Sequence, residues 1–241
     1  MALIVQKYGG SSLRNEEKIK KVAKHIIATM DNSAQPVVVV SAMQGQTDAL
    51  LNSAKKVSDS SNGRELAKLL STGEVVSSAL LAMALQSLGY DAISLTGAEA
   101  GIRTDSAHSR ARILNIDPKR VVKELKKGNI VIIAGFQGVT DEMDVTTLGR
   151  GGTDITAVAL AAALGVKCEI YHDVKGVYTA DPKIVPEARL IPEISYEEML
   201  EMASQGTKAV HPRAVELAWV NKVPILITNI SNGQNGTLVH E

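Results

Sequence analysis

Short apolar runs rich in Val and Ile alternate with longer helical patterns along the chain, and this alternation restricts the possible folds more than any other feature. Because the apolar runs are continuous, each predicts a strand buried on both faces. Such strands, separated by helices, are typical of a mainly parallel sheet covered on both sides. The predicted strands are residues 3–8, 36–42, 92–96, 130–135, 168–172 and 224–229, and the predicted helices are residues 15–30, 47–58, 63–88, 117–127, 153–165, 196–205 and 212–221.

A glycine-rich turn at residues 148–154 (Leu-Gly-Arg-Gly-Gly-Thr-Asp) precedes an alanine-rich run that is apolar on every side. A helix of that composition is expected to be buried. The turn therefore places Arg150 and Asp154 at the N-terminus of a buried helix, where free backbone N–H groups and the helix dipole favour anions. A similar turn at Lys7-Tyr8-Gly9-Gly10 ends the first strand. Two such turns indicate an enzyme that handles phosphate and carboxylate groups.

The overall composition excludes several classes of partner. The chain has 241 residues, and its 26 basic residues equal its 26 acidic residues, so it lacks the basic excess of a nucleic-acid binder. The single Cys168 cannot form an internal disulfide, which indicates a reducing compartment. The N-terminal apolar stretch is too short for a signal peptide, and the longest apolar run, residues 157–166, is too short to span a bilayer. We expect a cytoplasmic protein without a membrane partner.

Local signals refine the helix starts and the domain organisation. Asp117-Pro118 predicts a helix start, and capping boxes are predicted at Ser195 to Glu198 and at Ser71 to Glu74. No long linker divides the chain. Residues 141–144 are predicted to turn between short strands and to mark the border between two lobes.

The individual candidate residues also have plainer interpretations. Lys7 could bind phosphate or could be a solvated lysine before a tight turn. Arg150 could clamp a carboxylate, or it could be a loop arginine in solvent. Asp154 could orient a lysine or hold a metal, or it could cap the following helix. Glu74 could bind a substrate ammonium or complete the capping box.

Two further loops have the same ambiguity. Ser41 and Thr47 flank Gly45 after an apolar strand, and they could contact a ligand or simply cap a helix. Residues 172–183 could hold an adenine and a ribose, although the pattern alone is weak. For His172 and His211 a structural role is favoured over a catalytic one. The usual P-loop, G-x-G-x-x-G and zinc signatures are missing.

Taken in order, these segments resemble the motifs of the aspartate kinases. Residues 7–12 (Lys-Tyr-Gly-Gly-Ser-Ser) match the K-[FY]-G-G-[ST]-S signature, and the further matches run over essentially the whole chain. They are residues 40–43, 71–74, 104–105, 134–138, 149–154 and 173–182, with Lys208 and His211-Pro212. The resemblance implies the amino-acid kinase fold, a three-layer α/β/α sandwich, for one catalytic domain over residues 1–241. It also implies an aspartate-binding N-lobe (about 1–144) and an ATP-binding C-lobe (about 145–241).

The resemblance also implies the roles of individual residues. Lys7, Asp154 and Lys208 are expected to be catalytic. The expected substrate-binding residues are Ser41, Thr47, Glu74, Arg150, Gly152 and Thr153. The expected nucleotide-binding residues are Lys7, Gly9, Gly10, Ser11, His172, Asp173, Tyr178, Asp181, Lys183 and Lys208. No metal site of the protein's own is expected, because Mg²⁺ is carried by ATP.

The reaction so implied converts L-aspartate and MgATP to 4-phospho-L-aspartate and ADP, the first step of lysine, threonine and methionine biosynthesis. The acceptor carboxylate has an ordinary pKa of about 4, so it needs no general base. Two other hypotheses remain open at this point: an amino-acid kinase with another acceptor, and a non-catalytic binding subunit. By resemblance we also expect a homodimer and no ACT regulatory domains.

The sequence departs from the family pattern at a few positions. His172 stands where threonine is usual, Lys183 where arginine is common, and Ala98-Glu99 where Trp-Gln is usual. The first two departures lie in the nucleotide loop, and the third lies in a loop on the acceptor side.

Overall fold

The computed structural model describes residues 2–32, 34–58, 63–207, 209–231 and 235–241. Its strands are β1 (Ala2–Tyr8), β2 (Ala34–Val40), β3 (Ala92–Leu95), β4 (Ile102–Thr104), β5 (Ile113–Ile116), β6 (Ile130–Ala134), β7 (Gln137–Val139), β8 (Val145–Thr147), β9 (Cys168–Tyr171), β10 (Glu193–Ser195), β11 (Ile225–Thr228) and β12 (Thr237–His240). Its helices are α1 (Glu16–Asp31), α2 (Gln46–Val57), α3 (Gly63–Gln86), α4 (Lys119–Lys126), α5 (Gly152–Leu164), α6 (Tyr196–Ser204) and α7 (Pro212–Asn221), with a short 3-10 helix at Gly10–Leu13.

The main sheet has the strand order β10-β12-β11-β9-β1-β2-β6-β3. Every neighbouring pair from β11 through to β3 is parallel, and β12 is antiparallel to β11. The prediction of a mainly parallel sheet is therefore confirmed. Since β2 lies on one side of β1 and β9 on the other, the direction of strand succession reverses at β1. Ligands bind at such switch points, outside the carboxyl ends of the strands.

Helices cover both faces of this sheet, which makes the molecule a three-layer α/β/α sandwich. On one face, alternate strand residues such as Val39 and Ile133 pack against α4, α5, α6 and α7. On the other face, the intervening residues such as Val38 and Ile132 pack against α1 and α3. The strands are thus buried on both sides, which explains their continuous apolar sequences.

Each predicted strand and helix is present, with bounds within two residues of those predicted. The capping box at Ser195 is confirmed, because Ser195 accepts the Glu198 N–H while Glu198 reaches back to Ser195. The capping box at Ser71 is wrong: α3 begins at Gly63, and the Ser71 hydroxyl instead donates to the Lys68 carbonyl within the helix. The Glu74 side chain therefore does not cap the N-terminus of α3.

A second, smaller sheet has the order β5-β4-β7-β8. The turn at residues 141–144 joins β7 to β8, as the sequence predicts. Strands β4 and β5 were not predicted, and neither were β10 and β12 of the main sheet, because strands of three or four residues are too short to show a hydrophobic period.

Helix α5 is enclosed by the core, in agreement with its sequence. Every residue from Gly152 to Ala161 is buried. The helix begins after Gly151 and ends at Gly165, and both glycines have the left-handed backbone conformation that lets the chain turn sharply at each end. Its first turn is consequently held at a fixed place behind the strand ends.

Among the described residues, α3 is long and apolar enough to cross a bilayer, although no spanning segment is predicted from the apolar runs of the sequence. The test rests on length and composition alone, and 44% of its most apolar window is buried. Helix α3 packs against α1, α2 and strand β3. This is the packing of a core helix in a folded domain.

Candidate active site

The predicted site residues from the two glycine-rich turns meet at the carboxyl ends of the central strands. Lys7 lies near the end of β1, in register with Val39 of β2 and Ile170 of β9. The Ser41 N–H donates to the Tyr8 carbonyl, and the Gly135 N–H donates to the Val40 carbonyl, so the loops after β1, β2 and β6 are joined edge to edge. Parallel pairing thus brings the ends of four neighbouring strands to one side of the sheet.

The centre of this site is a buried ion pair. The Lys7 ammonium (Nζ) lies 2.7 Å from Oδ1 of Asp154, and their side chains are only 4% and 9% exposed. The same ammonium lies 3.4 Å from Nε2 of His172, which follows β9. Lys7 from the start of the chain therefore contacts Asp154 at the start of α5 and His172 after β9 directly.

The electrostatics of the centre keep Asp154 ionised. Burial alone would raise the pKa of its carboxyl, but the Lys7 ammonium, His172 and the His211 backbone N–H outweigh burial and hold that pKa below its usual value. Burial and the Lys7 ammonium together lower the pKa of His172 to about 4, against the opposing effect of Asp154. At neutral pH the centre consists of one cation, one anion and a neutral imidazole.

The turn before α5 is fixed by contacts that exclude side chains. A Cβ atom on Gly151 would overlap the His211 ring, and one on Gly152 would lie 2.7 Å from Phe136. A Cβ on Gly135 would lie 2.7 Å from the Thr153 side chain, which seats the start of α5 against the end of β6. Arg150 lies exposed in this turn, immediately before the helix. These close contacts fix the backbone of the turn, whereas the Arg150 side chain is exposed and accessible to a ligand.

A second buried carboxylate, that of Glu74, faces the loop after β2. Helix α3 approaches this loop closely, since a Cβ on Gly73 would lie 2.9 Å from Cβ of Ala42. Oε1 of Glu74 accepts the Ala42 N–H at 3.0 Å, whereas Oε2 is buried and has no hydrogen-bond partner among the described residues. Burial raises the pKa of Glu74 to about 7, and the Ala42 N–H only partly offsets it. A buried acceptor without a partner can bind a donor that a ligand brings.

The predicted hydroxyl residues lie around the same loops. Ser41 is half-buried directly after β2, and Thr47 is half-buried in the first turn of α2. Thr153 is buried next to Asp154. Gly9 and Gly10 follow Lys7, and Gly10 packs tightly on the Ala42 carbonyl, where a Cβ would lie at 2.8 Å. Ser11 lies half-buried in the 3-10 helix that follows.

The remaining nucleotide-loop candidates do not join the buried ion pair directly. Asp173, Asp181 and Lys183 are exposed, and Asp181 accepts the Lys183 backbone N–H at 2.9 Å. Tyr178 is half-buried and pairs with Leu190. Within the described part of the chain, none of these four makes a hydrogen bond or ion pair with Lys7 or Asp154. Lys208 lies outside the described residues.

His211 has a structural role that sequence reasoning only partly anticipated. It caps α7 through a hydrogen bond from the Arg213 N–H, its ring packs on Gly151, and its own N–H contributes to the low pKa of Asp154. The His-Pro pair before a helix was the available signal for the cap. Its contact with Gly151 depends on the tertiary fold, so no local sequence pattern predicts it.

No group of three or more His, Cys, Asp or Glu side chains that could hold a metal ion occurs in the described ranges. The centre offers one carboxylate, Asp154, already paired with a lysine. Such a donor set fits a metal ion that is held mainly by the phosphates of a nucleotide.

Comparison with known proteins agrees with the fold. The model of the amino acid kinase family matches residues 2–229. The chain therefore belongs to the amino acid kinase family, whose fold the three-layer sandwich represents.

Within that family the chain is similar to aspartokinases. It is 52% identical to aspartokinase 2 of Bacillus subtilis and 53% identical to the aspartokinase of Geobacillus stearothermophilus, in each case over 100% of this chain. It covers 59% and 60% of those relatives, so it spans about three fifths of their length.

Solved structures show the same relationship. An aspartate kinase from Synechocystis matches with a TM-score of 0.87 and 48% identity, over 99% of this chain and 40% of that one. Aspartokinase III of E. coli in complex with aspartate and ADP matches with a TM-score of 0.83 and 26% identity, over 99% of this chain and 64% of that one. A UMP kinase from Bacillus anthracis, 19% identical, shares the fold.

Proposed function

We propose that the chain is the catalytic part of an aspartate kinase, which transfers the γ-phosphoryl group of MgATP to the side-chain carboxylate of L-aspartate. The products are 4-phospho-L-aspartate and ADP. The observation that carries the proposal is the buried Lys7–Asp154 pair at the switch point of the sheet. The similarity to aspartokinases over the whole chain supports the choice of acceptor.

The proposed chemistry is mainly electrostatic. The acceptor carboxylate is ionised at neutral pH and attacks without a general base. The difficulty is the approach of one anion to another, and a buried cation reduces that repulsion most where water is excluded. Lys7 supplies this cation, Asp154 orients it, and Lys208 is the proposed second lysine. Mg²⁺, bound through the phosphates of ATP, neutralises further negative charge.

The acceptor lobe is proposed to recognise both ends of a free amino acid. Oε2 of Glu74 is the buried acceptor for the ammonium, and Arg150 is the bidentate partner of the α-carboxylate. Ser41, Thr47 and Thr153 supply hydroxyls around the substrate, next to Gly152. An N-acylated substrate would leave Glu74 without its partner, at a cost of several kcal/mol. This arrangement favours aspartate over N-acetylglutamate.

The nucleotide is proposed to lie on the other side of Lys7, against the C-lobe (about 145–241). The Gly9 N–H donates to the Tyr171 carbonyl, and the absence of a Cβ on Gly9 leaves space beside Lys7. Gly10 and Ser11 begin the 3-10 helix, where the first N–H groups lack partners within the helix. The loop residues His172, Asp173, Tyr178, Asp181 and Lys183 complete the proposed nucleotide site. The aspartate site then lies mainly in the N-lobe (about 1–144) and is completed by the turn that carries Arg150, Gly152 and Thr153.

We further propose a homodimer in the cytoplasm that acts in the first step of lysine, threonine and methionine biosynthesis. The absence of a charge imbalance supports a small-molecule enzyme rather than a nucleic-acid binder. Light scattering of the purified chain tests the dimer, which a monomer mass at micromolar concentration would exclude.

The decisive experiment is a coupled assay of ADP production with a panel of acceptors: L-aspartate, L-glutamate, N-acetylglutamate, carbamate and UMP. We expect turnover with L-aspartate alone. Arg150→Leu should raise KM for aspartate by about 100-fold, because it removes a bidentate charged contact, while KM for ATP stays the same. The matched control is Arg14→Leu, another exposed arginine, which should leave both constants unchanged.

A folded chain that binds ATP but turns over none of these acceptors would contradict the proposal and favour a non-catalytic binding subunit. Preference for glutamate or UMP would preserve kinase chemistry but reject aspartate as the substrate.

A further inference from the structure

Lys7 has two side-chain partners that differ in charge. Asp154 contacts the ammonium from the first turn of α5, and His172 contacts it from the residue after β9. The His172 backbone is itself fixed, because its N–H donates to the Thr228 carbonyl of β11 at 2.9 Å. The imidazole is therefore presented to Lys7 by two adjacent strands of the sheet.

The contact with Lys7 determines which nitrogen of His172 carries the proton. An ammonium has three donors and no lone pair, so Nε2 of His172 must accept at 3.4 Å. The ring is neutral at neutral pH, since burial and Lys7 lower the pKa of His172 to about 4. A neutral imidazole that accepts at Nε2 carries its hydrogen at Nδ1.

Nδ1 of His172 faces the space above Gly9. A Cβ atom on Gly9 would lie 3.7 Å from Nδ1 and 3.5 Å from Lys7 Nζ. The missing side chain thus leaves a space that is bordered by two donors, one charged and one neutral. A carboxylate at position 172 would also hold Lys7, but together with Asp154 it would give the centre a net negative charge.

We propose that His172 is a positioning residue for Lys7: its Nε2 directs the ammonium towards the space above Gly9 without adding a second negative charge to that of Asp154, and its Nδ1–H is directed to the same space. The identity of the group that occupies this space, a phosphoryl oxygen, rests on the proposed function. The arrangement of Lys7 and His172 does not depend on it.

The first test measures the tautomer directly. In nitrogen-15 correlation spectra at pH 7, His172 should show a protonated Nδ1 and an unprotonated Nε2. Lys7→Met removes the donor to Nε2 and should shift the ring towards the Nε2–H tautomer. An Nε2–H tautomer or an imidazolium in the unmodified protein would overturn the inference, and this readout requires no kinase activity.

The second test separates the two ring nitrogens. In His172→Gln the amide oxygen reaches the place of Nε2, so Lys7 keeps an acceptor; in His172→Asn the amide lies at the place of Nδ1. We expect kcat for aspartate-dependent ADP production to stay within about threefold in His172→Gln and to fall about 10- to 100-fold in His172→Asn and His172→Leu. KM for aspartate should not change.

The matched control is His240→Gln on partly exposed β12, which should leave kcat unchanged. Circular dichroism melting should confirm that each variant folds. Equal losses in His172→Gln and His172→Leu, or a normal kcat in His172→Leu, would show that the contact with Lys7 does not position it. If the chain turns over no acceptor, the proposed function fails, while the tautomer measurement still decides the role of His172.

Discussion

Gly151 and His211 fit together so closely that a single carbon atom on Gly151 would overlap the imidazole ring. The backbone of Gly151 is also left-handed, with φ of 73°. We therefore predict that Gly151→Ala displaces the turn that carries Arg150 and the start of α5. Left-handed backbone strain alone costs about 1 kcal/mol, and the free energy of unfolding should fall by more than this amount. The value of kcat should fall as well.

The matched control for this prediction is Gly165→Ala at the other end of α5. Gly165 has a similar φ of 67°, but a Cβ atom added there would meet no neighbouring atom within 4 Å. Urea unfolding of both variants measures the difference. Equal losses of stability would mean that the His211 contact contributes nothing and that backbone strain explains the whole effect.

The buried Lys7–Asp154 pair should behave as a unit. Lys7→Met or Asp154→Asn alone leaves one partner buried without the other, and each should destabilise the protein by about 3–5 kcal/mol. The double variant should lose much less than the sum of the two, which a double-mutant cycle measures by chemical denaturation. Additive losses would contradict direct coupling. Lys119→Met at the exposed Lys119–Asp117 pair is the control and should not change stability measurably.

Glu74 should make the ligand-free protein less stable as the pH rises. Burial raises its pKa to about 7 in the folded state from an unperturbed value of 4.5. Below pH 4.5 both states are protonated. Between about pH 4.5 and 7 the Glu74 carboxyl is ionised in the unfolded state but still protonated in the folded state. The free energy of unfolding therefore falls as the pH rises towards the pKa of the folded state. By pH 8 the cost approaches about 3 kcal/mol.

Glu74→Gln removes this titration. The variant should match the unmodified protein near pH 4.5 and exceed its free energy of unfolding at pH 8, as urea denaturation across this range would show. A stability difference that stays constant with pH would contradict the raised pKa. Glu65→Gln is the control, because this exposed glutamate in the first turn of the same helix shows no comparable burial.

Aspartate binding should release protons near pH 7. An unliganded Glu74 is about half protonated at its pKa of about 7, and a bound ammonium would favour the ionised form. Isothermal titration calorimetry in buffers of different ionisation enthalpy should detect a release that approaches half a proton per site. Glu74→Gln should abolish the release, whereas a release that persists in this variant would assign it to another group.

Much of this architecture was predictable because it follows from local rules. Continuous apolar strands require burial on both faces, so the six parallel strands from β11 to β3 and the helices could be predicted to within two residues. The turn before α5 could be predicted from glycines followed by an apolar helix. The prediction of a capping box at Ser71 was wrong for a physical reason. A capping box satisfies the N–H groups at the start of a helix, whereas Ser71 lies inside α3, which already begins at Gly63.

The contacts that make the site specific could not be predicted in this way. The unpaired Oε2 of Glu74, the overlap of Gly151 with His211 and the approach of His172 to Lys7 all join distant segments. Each depends on strand order and register, which local periodicity does not determine. Motif resemblance suggested which residues matter, while the geometry shows how their charges are balanced.

The central position of β1 has a consequence for how the protein is made. β1 can pair with β9 only after the chain has been synthesised through Tyr171, and Lys7 has neither Asp154 nor His172 beside it until then. Pairings this distant in sequence are slow to form and leave strand edges uncovered meanwhile. Until the chain has been synthesised through His172, the nascent protein therefore exposes the open β1 edge and Lys7 lacks these two partners, so chaperone binding should concentrate on this edge.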